Sequence, residues 1–170
     1  TRARGGLWRG RGQVQEQTES PVTYTLPAPD GDQGFPGILK VSVRYQLTED
    51  NSVSIDYFAT TDKETVVNLT NHAYFNLLGA ELGQDCLSHI ISINASQFLP
   101  TDKSGIPLSG LKSVKSTSFD FNRPTMISER LMGDEQQKNA KGYDHSFLLA
   151  EECRAGKCAA TVTSPEALVT

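Results

Sequence analysis

Ten consecutive residues, 68–77, carry amides, a hydroxyl, an imidazole and a phenol at alternate positions, a set suited to acid–base chemistry on a polar substrate. Because strand side chains point alternately to opposite faces, a strand here would divide them into two sets. The polar set is Asn68, Thr70, His72, Tyr74 and Asn76, and the apolar set is Val67, Leu69, Ala73, Phe75 and Leu77, interrupted only by Asn71. The pattern predicts a strand with one face on the core and the other lining a polar cleft.

His72 is the residue of this segment best suited to proton transfer, since an imidazole titrates near neutral pH. A lone histidine is more often structural than catalytic, but here its neighbours on the same face are all polar. Tyr74 shares that face, and it is either a substrate contact or a core tyrosine with a bonded hydroxyl. Asn71 and Asn76 are expected to hold local geometry rather than to touch substrate.

Other candidate groups are weaker. His89 lies among apolar neighbours and is expected to be a packed or edge residue. The carboxylate pairs Glu151–Glu152 and Asp134–Glu135 fall in hydrophilic stretches, and adjacent strand residues point apart. Neither pair therefore offers the facing geometry that glycoside hydrolysis requires.

Length and composition limit the class of protein. A chain of 170 residues suits one domain with a sizeable core, and a formal net charge of −4 provides no basic field for nucleic acid. No apolar run approaches the ~20 residues of a membrane span. The odd number of cysteines (Cys86, Cys153 and Cys158) and the lack of nearby histidines argue against a disulfide framework or a zinc site. Reduced thiols and no recognisable signal peptide predict a cytoplasmic protein.

Nearly every periodic signal indicates β-structure. The predicted strands are residues 22–26, a hairpin over 38–59, and residues 87–93, 143–149 and 158–163. Helical character is confined to residues 126–137, and Phe119 and Phe121 are the expected anchors of an irregular stretch. Strands at regular spacing with turn clusters between them predict an antiparallel all-β sandwich or barrel.

The segment 68–77 also resembles the TNHxYFNL signature of the aldose 1-epimerases, or galactose mutarotases. Further strings resemble the same family in the right order: residues 30–37 (DGDQGFPG), 45–48 (YQLT), 98–102 (FLPTD), 117–121 (TSFDF) and 141–145 (KGYDH). Together they extend over residues 14–163, and the likeness is strongest to bacterial members. Residues 1–13 match poorly and are expected to be disordered, with a partial aldose 1-epimerase domain over 14–170.

The resemblance implies a large antiparallel β-sandwich that interconverts the α and β anomers of galactose or glucose. It makes His72 the catalytic acid and Asp144 an acceptor for sugar hydroxyls, and we expect His72, Tyr74 and Asp144 to border one polar groove. A turn aspartate is the other interpretation of Asp144. His145 is left structural, because strand alternation turns it away from Asp144. The reaction needs no metal and no cofactor, and the sequence offers no convincing site for either.

Members of the family extend beyond this region at both ends. Their N-terminal part holds further sugar contacts, and their C-terminal part holds the glutamate that acts as general base, which is therefore expected beyond Thr170. The 170-residue chain alone is accordingly expected to be inactive and poorly soluble.

Two alternative functions remain at this point. One is a non-catalytic carbohydrate-binding β-sandwich, and the other is a hexose-6-phosphate 1-epimerase. The second would need basic residues near the cleft, and Lys40, Arg44 and Arg123 are not persuasive candidates. The expected partner is an aldohexose bound by a monomer or homodimer, with no nucleic acid and no membrane.

Overall fold

The computed structural model describes residues 12–17, 20–79, 81 and 83–165. This part of the chain contains ten β-strands and three short α-helices. It falls into two compact units, Thr1–His72 and Ala73–Thr170. The expectation of disorder over residues 1–13 concerns a segment of which residues 1–11 lie outside the described part.

The first unit is built on one antiparallel sheet. Its strands are β1 (Gln13–Gln17), β2 (Val22–Ala28), β3 (Leu39–Leu47) and β4 (Val53–Thr61), in the order β1-β2-β3-β4. The register places Val43 opposite Tyr24 on one side and Tyr57 on the other. The hairpin predicted over residues 38–59 is therefore confirmed.

Cross-strand pairing gathers most apolar residues of β2, β3 and β4 on one face of this sheet, since directly paired residues share a face. Phe58 is an exception, because it lies opposite Ser42 on the other face. The edge-to-face ring pair Tyr24–Tyr45, with centroids 6.2 Å apart, lies on the apolar face. The same face is incompletely covered toward the hairpin turn. Leu47 and Val53 are paired directly, and each is 63% exposed.

The connection between β2 and β3 is fastened to the end of β4. Asp30 accepts a hydrogen bond from the Gly37 amide at 2.6 Å and pairs with the ammonium of Lys63. Gly37 has φ +86°, and a Cβ there would lie 2.8 Å from the hydroxyl of Thr61. Glycine is required on both counts, because its backbone tolerates positive φ and it lacks the clashing atom.

The second unit contains two small antiparallel sheets and three helices. Its elements are β5 (Ile90–Ile93), β6 (Ala95–Phe98), β7 (Lys112–Ser113), β8 (Thr125–Met126), α1 (Ile127–Arg130), α2 (Glu135–Ala140), β9 (Phe147–Leu149), α3 (Glu151–Arg154) and β10 (Ala160–Thr163). One sheet has the order β10-β5-β8 and the other β7-β6-β9.

The core of the second unit is aromatic. Phe98, Val114 and Phe119 are each at most 3% exposed, and Tyr143 and Phe147 pack against them. The rings of Phe98 and Phe119 stack with centroids 4.2 Å apart. Phe119, together with Phe121 at 3% exposure, fulfils the predicted role of an anchor.

The strand predicted over residues 68–77 is wrong. Residues 64–76 have no regular secondary structure, and no described strand pairs with them. The side chains expected on the core include Val67, which is 45% exposed, and Phe75, which is 80% exposed, while Leu69 is half-buried. Alternation marks a strand only where a neighbouring strand accepts its hydrogen bonds, and the sequence pattern does not supply that neighbour.

Smaller differences concern three strand boundaries and one short helix. The strands predicted over residues 143–149 and 158–163 begin only at Phe147 and Ala160. The strand predicted over residues 87–93 begins only at Ile90, because the His89 amide closes a turn onto the Cys86 carbonyl at 3.1 Å. The helix α3 was not predicted. It has only four residues, too few for a helical period to show in the sequence.

Candidate active site

His72 and Tyr74 lie in the irregular segment that follows the first sheet. Both side chains are exposed, Tyr74 to 87%. His72 belongs to the first compact unit, whereas Tyr74 and Asp144 belong to the second. That these three residues border one groove stays a prediction.

The segment ends in a turn held by Asn76. Its side-chain oxygen accepts the Leu78 amide at 3.0 Å, and its amide nitrogen donates to the Gln84 carbonyl at 2.8 Å. Its own carbonyl accepts the Gly79 amide at 3.1 Å. The geometric role predicted for Asn76 is therefore confirmed.

A buried histidine adds a second attachment beside this turn. The side chain of His89 is 1% exposed, and its Nε2 accepts the backbone N–H of Leu77 at 3.0 Å. An accepting Nε2 carries no proton, so we assign the neutral tautomer with hydrogen on Nδ1. Within the described residues, Nδ1 has no hydrogen-bond partner.

The packed position predicted for His89 is confirmed, but its link to the His72 segment was missed. Twelve residues separate Leu77 and His89. Only the fold brings the amide and the imidazole together, and the types of the two residues carry no signal of that contact.

Asp144 is exposed on the connection between α2 and β9. The residues on either side of it are half-buried. The Tyr143 hydroxyl donates to the Ser118 carbonyl at 3.1 Å, and burial raises the pKa of that phenol. His145 packs edge-on against Phe119 at 4.7 Å. His145 therefore turns away from the exposed Asp144, as predicted, although residues 143–146 lie outside any strand.

The environment of His145 favours the neutral imidazole. Burial lowers the pKa of His145, because removal from water disfavours its charged form, while the carboxylates of Asp144 and Asp134 act in the opposite direction. A neutral imidazole can donate one structural hydrogen bond without placing a positive charge beside Asp144.

Two open cavities in the second unit lie elsewhere. One of about 270 Å³ is lined by residues of β5 and β10 together with Asn94, Phe121 and Asn122. The other, of about 360 Å³, is lined by residues between Leu78 and Ser88. None of the three residues His72, Tyr74 and Asp144 lines one of these two cavities.

No metal centre is formed in the described part of the chain, where no three His, Cys, Asp or Glu side chains cluster suitably. The thiols of Cys86, Cys153 and Cys158 are all free. None of the described helices is long and apolar enough to cross a membrane.

Comparison with known proteins identifies the family. The aldose 1-epimerase family model matches residues 2–170. The chain belongs to the aldose 1-epimerase family. Among its relatives, the aldose 1-epimerase of Escherichia coli K12 is 46% identical over 161 residues, which are 95% of this chain and 46% of that protein. The aldose 1-epimerase of Haemophilus influenzae is 49% identical over 85% of this chain and 42% of its own length.

A solved structure shows the same fold. The galactose 1-epimerase of Lactobacillus acidophilus superimposes with a TM-score of 0.76 at 34% identity, covering 91% of this chain and 44% of that one. The predicted antiparallel β-sandwich of the galactose mutarotase type, and the likeness to bacterial members, are confirmed. The chain spans about half the length of the curated relatives it matches, 46% in the case of the E. coli protein.

Proposed function

We propose that the gene product carrying this chain is an aldose 1-epimerase that interconverts the α and β anomers of an aldohexose such as galactose. The observation that carries the proposal is the 46% identity to the E. coli aldose 1-epimerase over 95% of this chain. The resemblance of residues 68–77, including His72, to the family signature and the KGYDH string with Asp144 support it.

The reaction consists of proton transfers to and from the sugar. Its product is the other anomer, and the overall oxidation level of the sugar is unchanged. A base takes the proton of the anomeric hydroxyl, and the acid His72 gives a proton to the ring oxygen. The bond between C1 and the ring oxygen breaks while the C1 carbonyl forms. After rotation about C1–C2, the steps run in reverse on the other carbonyl face.

The acid and the base are separate groups in this scheme. In this scheme His72 is the acid, and it takes up a proton again before the next turnover. The base is assigned, on the family resemblance, to a glutamate outside these 170 residues. The 170-residue chain alone should therefore not accelerate mutarotation, and polarimetry on fresh α-galactose tests this expectation.

Sugar binding is assigned to Asp144, with Tyr74 bordering the same groove. An exposed carboxylate accepts two or more charge-assisted hydrogen bonds from neighbouring hydroxyls. An epimer with a hydroxyl of the wrong stereochemistry would leave it unpaired, so Asp144 also discriminates between sugars. The free thiols support a cytoplasmic location, and we expect the protein to act as a monomer or homodimer.

The substitution His72→Asn in the complete gene product tests the proposal. An amide retains hydrogen-bonding capacity but cannot deliver a proton. We expect anomeric interconversion to fall on the order of 10²–10⁴-fold while galactose affinity stays within about tenfold. Polarimetry on fresh α-galactose measures the rate, and calorimetry measures binding.

The surface substitution Lys103→Gln, in an exposed loop, is the control and should leave both quantities unchanged. A fully active His72→Asn enzyme would refute the assigned acid. An unmodified protein that binds galactose without converting it would instead be a carbohydrate-binding module. Conversion restricted to phosphorylated hexoses would identify a hexose-6-phosphate 1-epimerase.

A further inference from the structure

Asp144 lies between two side chains that are anchored in the aromatic core. Before it, the Tyr143 hydroxyl donates to the Ser118 carbonyl at 3.1 Å, and the Tyr143 ring packs edge-on against Phe119 at 5.8 Å. After it, the His145 ring lies 4.7 Å from the same Phe119 ring. The exposed carboxylate is thus carried by a backbone that is held on both sides.

The polar end of His145 contacts a side-chain amide whose orientation is fixed. The Gln136 oxygen accepts the Thr101 amide at 2.8 Å, and its nitrogen donates to the Thr101 carbonyl at 3.1 Å. Rotating this amide by half a turn would set donor against donor and acceptor against acceptor. The Gln136 oxygen therefore faces His145 Nε2, which lies 3.2 Å away.

This arrangement decides the tautomer of His145. Because an amide oxygen only accepts, Nε2 carries the hydrogen and donates it to Gln136, while the Thr101 hydroxyl, 3.4 Å from Nε2, can accept the same hydrogen. The Nδ1 atom then holds a buried lone pair, which has no partner among the described residues. The pKa of His145, lowered by burial, agrees with a ring that stays neutral.

The same connection is joined to residues 98–101 at successive positions. Phe98 is opposite Phe147 in the pairing of β6 with β9, and the Leu99 amide donates to the Ser146 carbonyl at 2.9 Å. Gln136 adds a further link, because it bonds both Thr101 and His145. The backbone at Asp144 is therefore ordered before a ligand arrives, which lowers the entropy lost on binding.

We propose that His145 is a positioning residue for Asp144, and that its Nε2–H bond to Gln136 sets the affinity of the site for the sugar. The inference rests on the proposed function, because Asp144 binds sugar only within it. His145 acts through the backbone and transfers no proton, so its loss should change binding and leave the chemical step intact.

Two substitutions in the complete gene product separate the hydrogen bond from the ring. A glutamine at position 145 reaches the place of Nε2 with an amide N–H, whereas an asparagine reaches only the place of Nδ1. Both lose the aromatic contact. We expect His145→Asn to raise KM for galactose about 3- to 10-fold with kcat changed less than about twofold, and His145→Gln to stay within about twofold in both.

Gln136→Leu removes the same bond from the opposite side, together with the two bonds between Gln136 and Thr101, and covers the case in which His145→Asn does not fold. It should raise KM in the same way. Lys138→Gln, an exposed position on the same helix α2, is the matched control and should change neither constant. A loss of stability alone would lower the amount of active enzyme and hence the apparent kcat, but not KM.

An active wild-type enzyme whose KM is unchanged in both His145→Asn and Gln136→Leu would overturn the inference and leave the proposed function standing. So would a large fall in kcat at constant KM, since it would place His145 in proton transfer. A wild-type protein that neither binds nor interconverts galactose would overturn both.

Discussion

Asp144 and His72 should respond differently to substitution, because one is assigned to binding and the other to proton transfer. Asp144→Ala removes an acceptor for sugar hydroxyls and should weaken galactose binding by roughly 1–3 kcal/mol. Asp144→Asn keeps one acceptor oxygen and should weaken it less. Calorimetric titration of the complete gene product measures both, and equal affinities for all three proteins would contradict the assigned role.

His145 should make stability depend on pH. Its pKa in the folded protein lies below the ordinary value of 6.5, so the unfolded chain binds more protons in the acid range. Stability should therefore be full above about pH 6.5 and fall as the pH drops from there through the folded pKa.

Thermal unfolding of the complete gene product between pH 7 and pH 5 checks this dependence. His145→Gln removes the titrating group and should flatten the fall in melting temperature over that range. Identical slopes for the two proteins would show that the ring of His145 titrates alike in the folded and unfolded chain.

At the site, the sequence indicates residue types but not their partners. His72 and Asp144 stand out because an imidazole on a polar stretch and a carboxylate in a KGYDH string suggest chemistry. Gln136 does not, although its contact with Thr101 spans 35 residues. Such contacts depend on the packing of the second unit, which no local pattern encodes.

Helix α2 depends on the residue that begins it. Asp134 accepts the amides of Gln136 at 3.0 Å and Gln137 at 3.2 Å, and it also bonds the hydroxyl of Ser118. Asp134→Ala should lower the free energy of unfolding by about 1–2 kcal/mol, since two amides lose their acceptor. Asp134→Asn keeps a capping oxygen and is the matched control. Denaturant unfolding distinguishes them, and equal midpoints for the two variants would argue against the cap.

The β3–β4 hairpin and residues 68–77 show why the elements were predicted unequally well. Both alternate polar and apolar residues. In the hairpin, the turn Glu49–Asn51 brings the second strand back to the first, so each strand finds its pairing partner directly across a short turn. Residues 68–77 have no such neighbour within reach of a short turn, and their alternation alone did not specify a strand.

For the molecule as a whole, the apolar face of the first sheet should dominate solution behaviour. Leu47 and Val53 are paired and each is 63% exposed, and apolar patches of this kind promote association. The 170-residue chain on its own should bind hydrophobic dyes and self-associate, and Leu47→Thr with Val53→Thr should reduce both. Dye fluorescence and light scattering measure these properties, and a monodisperse, dye-free wild-type chain would contradict the expectation.

The bond between Leu77 and His89 has a kinetic consequence for the turn that follows residue 76. The Leu77 amide sits in an open stretch of chain, yet its hydrogen is held by a ring that is almost completely buried. It can exchange with deuterium only when that contact opens. The lifetime of this single amide therefore reports how often the turn that begins at Leu77 separates from His89, and it does so without any sugar present.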